Sequence, residues 1–147
     1  LSQIEKGASN PSVNTVWKIA DALGVPYTAL LEKNVDGGVV VSGSDVQVQQ
    51  LDEGKGELRC YYHHTSGRIF ELFRMTVFAG CVYTSQGHGE RTDEYTLVIK
   101  GDLTITLDDG DHVLHAGDAL SFHSDKKHSY ANTGDAPLEL VIINYYR

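Results

Sequence analysis

From Val46 onward the chain is punctuated at short, regular intervals by residue pairs that can reverse a backbone: Gly101-Asp102, Asp109-Gly110, Gly117-Asp118 and Gly134-Asp135. Glycine and Asx residues tolerate the positive φ that tight hairpins demand. Between these turns lie short runs rich in β-branched and aromatic residues, and helical periodicity is absent. The runs predict strands over 46–51, 58–62, 70–78, 95–100, 103–107, 112–115, 119–122, 128–131 and 138–144. Many short strands closed by tight turns specify an all-β sandwich or barrel.

The first thirty residues follow a different rule. Val16, Ile19, Ala20 and Leu23 recur at helical spacing, which predicts a helix with one buried face. Asn10-Pro11-Ser12 is a turn whose serine can cap that helix, Gly7 suits the end of a preceding one, and Gly24 stops the pattern. Pro26 is tolerated in the first turn of a short last helix through Leu31. Trp17, the single tryptophan, reads as a helix-packing residue. Periodicity alone is equally satisfied by a generic helical hairpin. Asp36-Gly37-Gly38 and Ser42-Gly43-Ser44 then mark a linker. The expected organisation is a helical segment over 1–33, a linker over 34–45 and a β domain over 46–147.

With 147 residues, the chain has room for one full domain and a fragment. No apolar run approaches the roughly 18 residues a membrane span needs, and no secretory signal pattern opens the chain, so the expected compartment is the cytoplasm. Cys60 and Cys81 lack metal-site spacing and read as buried, reduced thiols. The net charge is −8. In residues 1–33, Lys6, Lys18 and Lys33 balance Glu5, Asp21 and Glu32, so the acidic excess lies entirely in the remainder. Such a surface repels phosphates, and contact with a duplex would fall to the helical segment.

Two resemblances give these parts a meaning. LSQIEKG, the NPS turn and VNTVWKIADALGV resemble the end of a lambda-repressor-type helix-turn-helix of the XRE class. The resemblance implies that the chain opens inside the recognition helix and is truncated at its N-terminus. His88, Glu90, Glu94 and Gly101, followed by Gly117, His128 and Asn132, resemble the two motifs of the cupin superfamily, in its cupin_2 form. Glu90 stands where a second histidine is more usual, and His123 and Asp125 replace the usual proline and glycine. The implied fold is mainly β: a cupin jelly-roll β-barrel preceded by the C-terminal helices of a helix-turn-helix. The implied function is a DNA-binding transcriptional regulator with an effector-sensing barrel, not an enzyme. Gln3 would reach a base edge through its planar amide and Lys6 a phosphate. A solvated helix end is the plainer alternative for both.

Side chains alternate along a strand, so His88, Glu90 and Glu94 would share the barrel's inner face if the segment is extended, with His128 arriving from the second motif. These donors suit a divalent Zn, Ni, Fe or Mn ion. Alternatively, the same residues satisfy one another by hydrogen bonds, and Arg91 neutralises a carboxylate. His123 and Tyr130 are expected to join His88, Glu90, Glu94 and His128 around a small-molecule pocket, whereas His63, His64, His112 and His115 read as surface residues. Tyr95, Leu97 and Ile99 alternate with Thr96 and Val98, which makes that strand apolar on both faces; this predicts a homodimer, as a two-fold operator requires. Two other functions remain open: a metal-dependent cupin enzyme of dioxygenase or isomerase type, and an antitoxin-like interaction module, which would have an empty, apolar barrel.

Overall fold

The structure is a computed structural model; it describes Thr15, Lys18, Ile19, Ala22 and Leu23 and all residues from Gly38 to Arg147. The chain divides into two compact units, one of residues 1–39 with 65–67 and one comprising the rest. In the first, Thr15, Lys18, Ile19, Ala22 and Leu23 are helical, in keeping with the predicted helix. Leu23 is 63% exposed. Gln3 and Lys6, and the turn at 10–12, lie outside the described residues.

The second unit is a two-sheet β-barrel of ten antiparallel strands. They are β1 (Val48–Gln50), β2 (Gly56–Tyr62), β3 (Phe70–Val77), β4 (Val82–Ser85), β5 (Thr92–Lys100), β6 (Leu103–Leu107), β7 (Gly110–Leu114), β8 (Ala119–His123), β9 (His128–Ala131) and β10 (Leu138–Tyr146). One sheet has the order β1-β2-β3-β10-β5-β8 and the other β4-β9-β6-β7. Nine strands fall on predicted runs. The one not foreseen, β4, is a four-residue strand ending just before Gly87 and Gly89, and so short a run gives little periodicity to read.

Alternation builds the interior. Along β10, Leu138, Leu140, Ile142 and Asn144 are buried while the residues between them are not; along β5 the buried set is Thr92, Glu94, Thr96 and Val98. Leu103 and Ile105 of β6 and Tyr130 of β9 meet them from the second sheet in one continuous apolar core. Tyr95, Leu97 and Ile99 therefore face outward, and they remain 48%, 38% and 50% exposed. Cys60 and Cys81 are free thiols but only half-buried. Cys81 packs against the core and Cys60 lies beside His63, both short of the full burial expected. Among the described residues no helix is long and apolar enough to cross a membrane.

Asn132, a residue of the second motif, has a structural task. Its side-chain amide donates to the carbonyls of Val77 and Ala136 at 2.9 and 2.8 Å, and its Oδ1 accepts from the Gly134 amide at 3.0 Å. One buried side chain thereby ties the end of β3 to the turn after β9, satisfying backbone groups that water cannot reach.

Candidate functional site

The inward stripe of β5 carries a charge into the core. Glu94 is fully buried, and a lone carboxylate there would be costly. Its two oxygens are treated differently. Oε1 accepts hydrogen bonds from Tyr130 Oη at 2.5 Å and Thr96 Oγ1 at 2.7 Å. Oε2 has no hydrogen-bond partner of ordinary length; it faces His88 Nε2 at 3.5 Å and His128 Nε2 at 3.6 Å. Burial alone would raise the Glu94 pKa, but His128, His88, Tyr130 and Thr96 together outweigh it and hold the value down to about 2.

His128 opens β9 and comes from the opposite sheet. Its Nδ1 lies 2.8 Å from the Lys126 carbonyl; a carbonyl only accepts, so Nδ1 carries a proton and Nε2 points toward Glu94. Tyr130, two residues on and on the same face, places its hydroxyl 3.0 Å from that Nε2. Burial opposes charge on His128, yet the bonds to Glu94 and Lys126 raise its pKa. Burial, and then the nearby Glu94 charge, raise the Tyr130 pKa well above the ordinary tyrosine value, so the phenol keeps its proton.

His88 is held by the loop between β4 and β5. Its amide donates to the Ser124 carbonyl at 2.8 Å, and Thr92 Oγ1 donates to the His88 carbonyl at 3.0 Å. The neighbouring Gly87 has φ +97°, and a Cβ there would sit 2.6 Å from the Asp125 carbonyl oxygen, so only glycine lets the loop approach so closely. The alternation expected from His88 to Glu94 therefore does not hold. Gly87 and Gly89 both have positive φ, the segment is not extended, and Glu90 turns out to solvent.

His88, Glu94 and His128 thus come together, each offering one donor atom within 4.8 Å of the others. Donors each about 2.0–2.2 Å from one ion lie roughly 3.0–3.6 Å apart, and the two separations to Glu94 Oε2 fall there. The donor set fits a first-row divalent ion chemically as well, because two imidazole nitrogens and one carboxylate oxygen converge there. His88 and Glu94 line an interior cavity of about 60 Å³ with Tyr130 and Asn144 and the apolar Met75 and Ile142. Asn144 Oδ1 is buried there without a hydrogen-bond partner. Nothing in the sequence singled it out except its inward register on β10. His128 also borders a larger, charged pocket of about 430 Å³ on the outside, shared with Glu90, Phe122, His123, Lys126 and Arg147. His123 does not reach the small cavity: it is exposed, borders the outer pocket, and its Nδ1 lies 2.5 Å from Asp93 Oδ1.

Residues 73–144 match the family model of the cupin domain, and residues 1–30 match that of the helix-turn-helix. The chain belongs to the helix-turn-helix regulators that carry a cupin domain. This DNA-binding transcriptional regulator is 27% identical to the HTH-type transcriptional regulator SutR of Escherichia coli K12 over 146 residues, spanning 99% of this chain and 78% of that protein. It is also similar to the crystal structure of an HTH_3 family transcriptional regulator from Vibrio cholerae, with a TM-score of 0.62 and 25% identity, covering all of this chain and 79% of that one. The regulator shares its fold with an enzyme too. The hydroxypropylphosphonic acid epoxidase of S. wedmorenis superposes with a TM-score of 0.62 at 15% identity, over 91% of this chain and 75% of that one.

Proposed function

We propose that the cupin domain of this regulator senses a small molecule through a divalent ion held by His88, Glu94 and His128, and that the protein acts without catalysing a reaction. The observation that carries this reading is Glu94 Oε2, which is buried without a hydrogen-bond partner and faces two imidazole nitrogens at 3.5 and 3.6 Å. A carboxylate oxygen left so deep in a protein calls for a cation or a donor. Zn, Ni, Fe or Mn suits the donor set, and the ion would supply a positive charge that an anionic or lone-pair-bearing effector can meet. Glu90 is not part of that ligand set in this reading. It serves with His123 on the outer pocket, whose 430 Å³ is within the range that accommodates a metabolite. The interior cavity, about 60 Å³, holds only an ion's waters or a few ligand atoms.

In this reading residues 1–33 bind DNA, with Gln3 on a base edge and Lys6 on a phosphate; 34–45 link them to the cupin domain of 46–147. Two copies pair to match a two-fold operator in the cytoplasm. The polar cluster of Glu94, Thr96, His128 and Tyr130 inside the barrel speaks against a purely structural barrel of the antitoxin-like kind. An enzyme is the second reading, favoured by one observation: two histidines and a carboxylate with room beside them are also the ligand set of non-haem iron oxygenases. Against it, no acid or base stands free in the cavity, since the Tyr130 hydroxyl is committed to Glu94.

The double variant His88→Ala/His128→Ala tests the sensing site. Wild type is expected to retain about one equivalent of metal and to gain thermal stability with added Zn or Ni, and the folded variant to do neither. A folded double variant with undiminished metal content and melting response would place the site elsewhere.

A further inference from the structure

Resting on that metal reading, we infer that Tyr130 and Thr96 act as a clamp that makes Glu94 a one-oxygen ligand and so sets which ions the site accepts. A carboxylate can bind an ion through one oxygen or both. Large, flexible ions such as Ca²⁺ take bidentate carboxylates and six to eight oxygens, whereas Zn, Co and Ni are satisfied by imidazoles and a single oxygen. In this chain the choice is built into the fold. Thr96 Oγ1, from the same face of β5, and Tyr130 Oη, from β9 of the opposite sheet, both donate to Oε1, at 2.7 and 2.5 Å. Oε1 is thereby occupied from two directions, and Oε2 alone is presented to His88 and His128.

Tyr130 has one further consequence for His128. A hydroxyl has a single proton, and the short contact spends it on Glu94. The Tyr130 oxygen therefore presents only lone pairs to His128 Nε2, 3.0 Å away. It does not donate to that nitrogen and so does not compete with a cation for it. The side chain that fixes the carboxylate leaves the imidazole available. Tyr130 and Thr96 are positioning residues in this scheme and do not themselves hold the ion.

Co²⁺ titration of the full chain tests the clamp, because the visible absorption of Co²⁺ reports the number and kind of its ligands. Wild type, Tyr130→Phe, Thr96→Val and Thr96→Ser are compared, with Ca²⁺ as competitor and circular dichroism as the check on folding. Loss of an outer-shell partner costs about 10- to 100-fold in metal affinity, so Tyr130→Phe is expected to weaken Co²⁺ binding by at least about tenfold. Its Co²⁺ spectrum should change and its preference over Ca²⁺ should narrow. Thr96→Val should move in the same direction and Thr96→Ser should recover wild-type behaviour, which a purely volumetric role would not produce. If Tyr130→Phe does not fold, the Thr96 pair decides the matter. Wild-type affinity, spectrum and selectivity in Tyr130→Phe and Thr96→Val would overturn the clamp while leaving the metal site standing. A wild-type chain that binds no Co²⁺ would overturn the metal reading and the clamp with it.

Discussion

Protonation decides what Glu94 and His128 contribute when no ion lies between them. The Glu94 pKa is lowered from 4.5 to about 2, so the stability carried by its ionised form is present above 4.5 and drains away as pH falls toward 2. The His128 pKa is raised above 6.5, so the stability carried by its charged form is complete below 6.5 and is lost as pH rises through the folded value. Both contributions are whole only between pH 4.5 and 6.5. The difference in melting temperature between metal-free wild type and Glu94→Gln is therefore expected to be largest in that window and to shrink on either side; a difference flat from pH 3 to 9 would show that the pair is not ionised as described. At this scale the sequence was partly legible. His88, Glu94 and His128 could be named from spacing, but Glu90 could not be excluded, because the positive φ of Gly87 and Gly89 breaks the alternation. Asn144 went unnoticed because an asparagine in an apolar run carries no signature until its register is known.

Strand β5 divides its two faces between the site and the outside world. Inward it presents Glu94 and Thr96; outward, Tyr95 and Leu97 join Val141 and Ile143 of β10 and Ala119 of β8 along a shallow apolar groove of about 300 Å³. Leu97 is the centre of that surface, paired in register with Val141 on one side and Ala119 on the other. Exposed apolar patches of this kind mark contact surfaces, and the expected occupant is a second copy. Leu97→Arg in the full chain is expected to shift sedimentation from dimer toward monomer at micromolar concentration while leaving the circular dichroism spectrum unchanged. An unaltered dimer would remove this face from the interface. The two-faced apolar character of β5 was readable from alternation alone. Its partner strands were not, since pairing joins segments far apart in the chain, as β10 does between β3 and β5.

Over the whole molecule, the proposed ligand set spans both sheets, with Glu94 on the six-stranded one and His128 on the four-stranded one. An ion bound there favours the folded chain over the unfolded one by mass action, about 2.7 kcal/mol at a hundredfold excess over its Kd. The melting temperature of wild type is therefore expected to climb with the logarithm of Zn²⁺ concentration, and amide exchange to slow in both sheets together. A melting point unmoved at millimolar Zn²⁺ would contradict this. The barrel was legible because turn chemistry and strand alternation are local properties; the site's interior was not, because it depends on side chains brought together across sheets. The close approach of Gly87 to the Asp125 backbone also bears on how this protein can change over generations. A side chain at 87 is tolerable only if the chain around 125 withdraws, and that withdrawal loosens the segment leading to His128. Adjacent sites in a fold do not vary independently, so the two motifs are expected to be inherited as one unit. Lineages that lose the glycine should also have rebuilt the turn at 125, giving up the histidines together rather than singly.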